Sequence, residues 1–160
     1  MAMGRAHKRS TAERAAIGLA CSVLTVLLTG CGVLAKELSD GDFAETIPAA
    51  LAASDLGVTD SGASEGLDGF TFYVYVGIDI DRDEVTADDL ATILRIILEN
   101  NDVPSDEIRL TVDGPDGESI GLAEVVDRID PELDARESSL GGLSVTNEQA
   151  IEIVKAVWGD

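Results

Sequence analysis

Residues 70–80, FTFYVYVGIDI, decide the fold that this sequence predicts. Every even-numbered position in the segment is apolar, while the odd-numbered positions hold threonine, two tyrosines, glycine and aspartate. Strict alternation of this kind is typical of a β-strand that buries one face and leaves the other accessible. We therefore expect a sheet whose apolar face packs against helices.

The segments downstream of this strand predict a helix and a second strand. Thr86 is a good N-cap with Asp89 three residues later, and an apolar stripe with helical spacing follows and ends before 100–104. Alternation around Leu110 predicts the second strand, and the turn sequence GPDG at 114–117 suggests a short return strand at 118–120.

The remaining segments predict three further helices joined by loops. Phe43, Ile47 and Leu51 recur every fourth residue, with a kink or break expected at Pro48. A helix is expected over 122–129, and the last helix should begin at Thr146 with Gln149 in a capping box. The expected apolar positions of the last helix are Ile151, Val154, Val157 and Trp158.

Two polar segments are predicted to lack regular structure. Residues 56–69 are rich in Gly, Ser and Asp and predict a loop, with a weak edge strand near Val58, while 132–142 predicts a loose segment. The whole pattern indicates a single α+β domain, in which a small, mainly antiparallel sheet of three to four strands packs against helices.

The N-terminus has the three parts of a secretory signal. Basic residues occupy its first positions, and an apolar segment of 14 residues, 15–28, follows. This segment is shorter than the roughly 20 residues that a membrane-spanning helix requires. It ends at Leu28-Thr29-Gly30-Cys31, which resembles the lipobox of bacterial lipoproteins.

The lipoprotein resemblance implies a diacylglyceryl group on the Cys31 thiol and cleavage between Gly30 and Cys31. The expected organisation is then a signal peptide at 1–30, a lipidated tether at 31–39 and one acidic domain at 40–160. Two acyl chains anchor a protein durably, so the domain would be held at the extracytoplasmic face of the cell membrane. An uncleaved anchor, or an ordinary secretory signal in which Cys31 is incidental, remains open.

Charge restricts the possible partners of the mature chain. After Cys31 there are 7 basic and 30 acidic residues, a formal net charge of −23. Nucleic acid is not an expected partner, because a phosphate-binding face needs clustered Lys and Arg. The basic residues are instead scattered at Lys36, Arg82, Arg95, Arg109, Arg128, Arg136 and Lys155.

Residue content also restricts the chemistry. His7 and Cys21 would leave with the leader, so the mature chain has no histidine and no thiol other than that of Cys31. Ser-His-Asp and Cys-His catalysis and the usual zinc sites are excluded on this basis. We expect no catalytic residue and no cofactor.

One candidate binding surface follows from strand alternation. Tyr73 and Tyr75 should face away from the helices, and Arg109 and Thr111 share that face if the two strands pair. Tyrosine and arginine are favoured at binding hot spots. The alternatives are an ordinary solvated face and a face covered by the last helix.

A weak metal site is suggested by Asp79, Asp81 and Asp83, whose spacing is that of a calcium-binding EF-hand loop. Glu84 stands at the sixth position, where that loop needs glycine, and Leu90 stands at the twelfth, where it needs glutamate. A solvated turn before a helix is the alternative reading.

Two further resemblances concern the mature part. The segment Val74-Tyr75-Val76-Gly77 resembles the strand of the BON module, a small α+β unit of bacterial envelope proteins. Segment 85–90, together with residues 116–118 and Leu122, resembles small actinobacterial lipoproteins with no assigned activity. The second resemblance says nothing about chemistry. Because the acidic and hydroxyl residues form no recognisable catalytic motif, we expect a non-catalytic envelope module whose partner is an envelope protein, a glycan or a lipid. The alternatives are a carboxylate-dependent hydrolase acting on cell-wall polymer and solute capture for a transporter.

Overall fold

The computed structural model describes residues 41–133, 135–138 and 142–159. The predicted leader, the tether and Cys31 lie outside these residues. In chain order the elements are α1 (Phe43–Ala52), β1 (Val58–Asp68), β2 (Thr71–Ile80), α2 (Ala87–Asn100), β3 (Glu107–Asp113), α3 (Leu122–Ile129), β4 (Arg136–Glu137), β5 (Leu143–Thr146) and α4 (Asn147–Trp158).

The strands form one mixed sheet in the order β1-β2-β3-β5-β4. The β2–β3 pair is parallel and is connected through α2, while the other three pairs are antiparallel. The predicted α+β class, single domain and mainly antiparallel sheet are therefore confirmed. The predicted size of the sheet is too small, because the structure has five strands.

The core lies between the sheet and one layer of helices. The central helix α2 contacts α1, α3 and α4, and α1 and α4 also contact strands. The even-numbered residues of β2 from Val74 to Ile80 are buried, as the alternation predicts. From β3 and β5 the core receives Ile108, Leu110, Val112, Leu143 and Val145.

Capping boxes begin α2 and α4, as predicted. Thr86 Oγ1 accepts a hydrogen bond from the Asp89 N–H, and Asp89 Oδ2 accepts one from the Thr86 N–H at 2.9 Å. Burial acts to raise the pKa of Asp89, but the Thr86 hydrogen bonds and the charge of Arg82 outweigh it, so this pKa lies below its ordinary value. Thr146 and Gln149 make the same reciprocal pair in α4.

Helix α1 differs from its prediction at Pro48. The helix is continuous from Phe43 to Ala52 with Pro48 inside it. Proline removes one intrahelical hydrogen bond, and burial of Phe43, Ile47 and Leu51 holds the helix against the core. The N-terminus of α1 is capped from a distant loop, because the Asp102 carboxylate accepts hydrogen bonds from the Asp42 N–H at 2.8 Å and the Phe43 N–H at 3.1 Å.

The loop predicted at 56–69 is wrong for most of its length, whereas the weak edge strand expected near Val58 is present and extends to Asp68 as β1. This strand pairs with β2 along its length and forms a hairpin. Its side chains are mostly exposed and polar, so it is held by the backbone ladder without an apolar alternation. The hairpin turns at Gly69, whose φ of 63° suits the first position of a tight two-residue turn. Phe70, predicted as part of the strand, lies in that turn and is 99% exposed.

The C-terminal part also contains corrections. The expected return strand at 118–120 is a single bridge between Asp113 and Ser119. The segment predicted to be loose contains β4, and β5 follows it. At Gly142, just before β5, a Cβ atom would overlap the Leu110 carbonyl oxygen, so only glycine fits this close approach of two backbones.

The last helix is present, but its buried face is displaced from the prediction. Ala150 and Ile153 are buried, whereas Ile151 is 42% exposed. Trp158 packs α4 onto the domain as expected. Its indole N–H donates to Asp88 Oδ1 at 3.1 Å, and the Arg95 guanidinium lies 4.4 Å from the ring centre.

Candidate binding face of the sheet

The face of the sheet opposite the helices brings the predicted residues together. We call this surface the outer face and define it by Tyr73 and Tyr75 on β2 and Arg109 on β3. Tyr75 is directly opposite Arg109 in the parallel β2–β3 register. Buried residues of all four described helices share one core with the even-numbered residues of β2, which point to the opposite side of the sheet from Tyr73 and Tyr75. The alternative in which the last helix covers the outer face is therefore not supported.

Arg109 and Tyr73 form the ordered centre of the outer face. The guanidinium carbon lies 3.9 Å from the centre of the Tyr73 ring. The ring also lies over Gly66 of β1, where a Cβ atom would overlap it. Tyr73 therefore packs against both an arginine and a bare stretch of backbone, and these contacts restrict the ring.

The charge of Arg109 is already compensated. Its Nη2 donates to Asp68 Oδ2 at 3.1 Å and to Glu107 Oε2 at 3.3 Å, and its side chain is 19% exposed. Burial acts to lower the pKa of Arg109, but the two carboxylates outweigh it and raise the pKa. Arg109 is therefore engaged within the domain, and its guanidinium packs against the ring of Tyr73.

Thr111 lies on the same face but is not accessible. It is 7% exposed, and its Oγ1 atom has no hydrogen-bond partner among the described residues. A Cβ at Gly142 would come within 2.7 Å of this oxygen, so the backbone before β5 passes close to it. Thr111 therefore belongs to the packing at the border of the outer face.

A shallow depression lies beside Tyr75. Gly77 is opposite Gly62 on β1, so two neighbouring positions of the sheet have no side chain. The Tyr75 hydroxyl lies 3.5 Å from the position of a Cβ at Gly77. The depression has a volume of about 240 Å³, and its lining also includes Asp60, Asp79 and Asp113.

The depression could not be predicted from the sequence. It depends on the pairing of Gly62 with Gly77, and the sequence of β1 indicates at most a weak edge strand near Val58. Because its lining combines bare backbone, one aromatic ring and carboxylates, it can accept a flat, uncharged or cationic group.

The three aspartates of the calcium motif do not form one cluster. Asp79 and Asp81 line a groove of about 570 Å³ that also contains Asp113, whereas Asp83 lines a separate groove with Glu84. Strand β2 continues to Ile80, so Asp79 belongs to an extended strand and not to a binding loop. Among the described residues, no three Asp, Glu, His or Cys side chains are grouped to hold a metal ion.

Calcium and magnesium are therefore expected to stabilise the protein equally. The residues after Cys31 carry a formal net charge of −23, so their acidic side chains repel one another, and added salt screens that repulsion. Thermal unfolding should shift upward with salt and show the same shift for micromolar Ca²⁺ and Mg²⁺. A much larger shift with Ca²⁺, lost in Asp79→Asn and retained in the matched Asp116→Asn, would contradict this expectation.

Comparisons of the chain with family models, with curated proteins and with solved structures found no match. The resemblances to lipoproteins and to the BON module therefore remain predictions from short motifs. No helix in the described part of the chain is both long enough and apolar enough to cross a bilayer.

Proposed function

We propose that the chain is a membrane-anchored extracytoplasmic lipoprotein, and that its domain is a non-catalytic binding module of the cell envelope. The outer face of the sheet is the proposed binding surface. The observation that carries this proposal is the ordered Arg109–Tyr73 stack beside Tyr75, on a face that no described helix covers.

The anchoring part of the proposal is supported by the N-terminal sequence. A basic start, a short apolar segment and Leu28-Thr29-Gly30-Cys31 form one consistent leader. Lipid on Cys31 would hold the domain at the membrane. The acidic surface supports a partner other than nucleic acid, since it repels phosphates.

The chemistry of the outer face favours an uncharged envelope glycan as the partner. Arg109 is engaged by Asp68 and Glu107, which disfavours an anionic ligand at this point. Tyr75 offers an apolar ring face and a hydroxyl, and the floor at Gly62 and Gly77 lets a sugar ring lie against the sheet. The carboxylates of the border can accept hydrogen bonds from sugar hydroxyls.

Alanine substitutions at Tyr73, Tyr75 and Arg109 test the binding surface. Each variant of the lipidated protein is cross-linked in its native membrane, and the captured molecules are identified. A truncation that costs about 1.4 kcal/mol of binding energy lowers affinity about tenfold. We expect such a loss for Tyr75→Ala, and a similar loss for Arg109→Ala because Tyr73 would no longer be held.

The matched control is Ile151→Ala, which removes an exposed apolar side chain from the helix layer. Circular dichroism and thermal unfolding establish that each variant is folded. An unchanged cross-linking profile in all three outer-face variants would reject this surface. Loss of the partner in Ile151→Ala as well would show that the effect is not specific to the outer face.

The alternative, a carboxylate-dependent hydrolase acting on cell-wall polymer, would use the groove that joins Asp79, Asp81 and Asp113. Such a reaction requires an acid and a base or nucleophile on two sides of the scissile bond. The rest of its lining is Thr59, Ile80, Gly114, Pro115 and Gly117. The Asp113 carboxylate already accepts a hydrogen bond from the Ser119 hydroxyl at 2.6 Å, whereas Tyr75 on the outer face is open to a ligand, so we place binding first.

A further inference from the structure

The tip of the β1–β2 hairpin is an exposed apolar point on an acidic domain. Phe70 is 99% exposed and Leu67 is 56% exposed. Of the three large apolar residues exposed in the described part of the chain, these two lie within four positions of each other. Leu67 also pairs with half-buried Phe72, so the apolar surface continues from the turn onto the hairpin.

This tip lies at the same end of the domain as the point where the chain enters it. Strand β1 ends and strands β2 and β3 begin at this end, because β2 and β3 are parallel and β1 is antiparallel to β2. The loop between α2 and β3 connects the two points. Its Asp102 binds the Asp42 and Phe43 amides, while its Asp106 accepts from the Phe72 N–H at 3.0 Å.

The chain between the predicted anchor and the domain is short. Gly41 lies ten positions after Cys31, a distance of at most about 35 Å when the chain is fully extended. A lipid on Cys31 would therefore confine this end of the domain to the neighbourhood of the bilayer. The opposite end of the sheet, with the 114–117 turn, would lie farther away.

We propose that the hairpin tip, Phe70 with Leu67, inserts into the interface of the bilayer that holds Cys31. This proposal rests on the lipid anchoring given above. Tethering raises the effective concentration of the tip at the membrane to the millimolar range, so a weak apolar contact becomes populated. Insertion of two apolar residues then orients the domain, and the lipid provides the attachment.

The acidic residues near the tip determine which lipids favour its insertion. Glu65, Asp68 and Glu107 lie close to the tip, and Arg109 forms ion pairs with Asp68 and Glu107. Anionic lipids should repel this end, with a range that salt shortens. Insertion is therefore expected to be stronger in phosphatidylcholine vesicles than in phosphatidylglycerol vesicles.

The test places a fluorescent reporter next to Phe70 while keeping Phe70 itself. Thr71→Cys is labelled with an environment-sensitive fluorophore in the lipidated protein, in which Cys31 is blocked by lipid. Glu118→Cys carries the same label at the opposite end of the sheet. On reconstitution into phosphatidylcholine vesicles, we expect a blue shift and about twofold stronger quenching by acyl-chain quenchers at 71 than at 118.

A second variant establishes whether the side chain of Phe70 is responsible. Adding Phe70→Ser to the labelled Thr71→Cys protein should abolish the blue shift. If the shift persists without Phe70, or if the reporter at 71 stays in water in vesicles, the proposal is wrong. A blue shift in native membranes but not in pure lipid vesicles would assign the tip to a protein partner and also reject it.

Mass spectrometry of the N-terminal peptide separates this proposal from the one on which it rests. A lipidated Cys31 with an aqueous tip rejects insertion and leaves the proposed function in place. An unlipidated N-terminus rejects both, because the tether that concentrates the tip would then be absent.

Discussion

Replacement of Cys31 with alanine is expected to move the protein out of the membrane fraction. The apolar segment 15–28 is short of the roughly 20 residues that span a bilayer, and the acidic domain has little affinity of its own for an anionic surface. Two acyl chains account for durable attachment. We therefore expect the membrane-bound fraction to fall by about tenfold or more, measured by fractionation and immunoblotting.

Cys21→Ala is the matched control for this experiment. Cys21 lies inside the apolar part of the leader, so its loss should leave the attachment unchanged. The mass of the mature N-terminus provides the direct reading. A wild-type protein that still begins at Met1, or that carries an unmodified Cys31, would contradict the proposal.

Leu110→Ala is expected to destabilise the domain more than any surface change. Leu110 is fully buried at the centre of the sheet, opposite Val76 on one side and Leu143 on the other. Truncating a buried leucine costs about 2–5 kcal/mol, because the lost contacts and the new cavity add. Total stabilities are about 5–15 kcal/mol, so we expect the melting temperature to fall by about 10 °C or more.

Leu67→Ala is the matched control, since it makes the same chemical change at a leucine that is 56% exposed. This substitution should change the free energy of unfolding by no more than about 0.5 kcal/mol. Urea unfolding followed by Trp158 fluorescence gives both values in the same assay. Equal destabilisation by the two changes would mean that Leu110 is not a central core residue.

The elements that the sequence predicts well are those in which burial imposes a period. Strand β2 and helix α2 each place one side of the element in the core, so their apolar residues recur every two and every three to four positions. The capping boxes at Thr86 and Thr146 depend on local contacts alone, and both were predictable for that reason.

The elements that the sequence misses are held by contacts that leave no local pattern. Strand β1 is stabilised by its ladder with β2, so its Gly, Ser and Asp residues read as a loop. Strand β5 has four residues, too few for an alternation to be distinct. The parallel pairing of β2 with β3 depends on tertiary packing, so the sequence of neither strand alone predicts it.

The candidate site was predictable only in part, for the same reason. The alternation in the sequence correctly placed Tyr73, Tyr75 and Arg109 on one face, because successive side chains of a strand point to opposite faces of the sheet. One of the two ion pairs that engage Arg109 comes from Asp68, which lies in the part of β1 that the sequence did not predict. The burial of Thr111 depends on the backbone near Gly142, which is 31 positions further along the chain.

The glycines of this sheet restrict how the sequence can diverge. At position 142 a methyl group would meet a backbone carbonyl, so a homologue with this geometry must keep glycine there. Position 66 is less strict, because its Cβ would meet the Tyr73 side chain, and a larger residue can be accepted if residue 73 becomes smaller. Distant homologues whose surface residues have diverged should therefore still be recognisable by two features. One is an invariant glycine at position 142, and the other is covariation between positions 66 and 73.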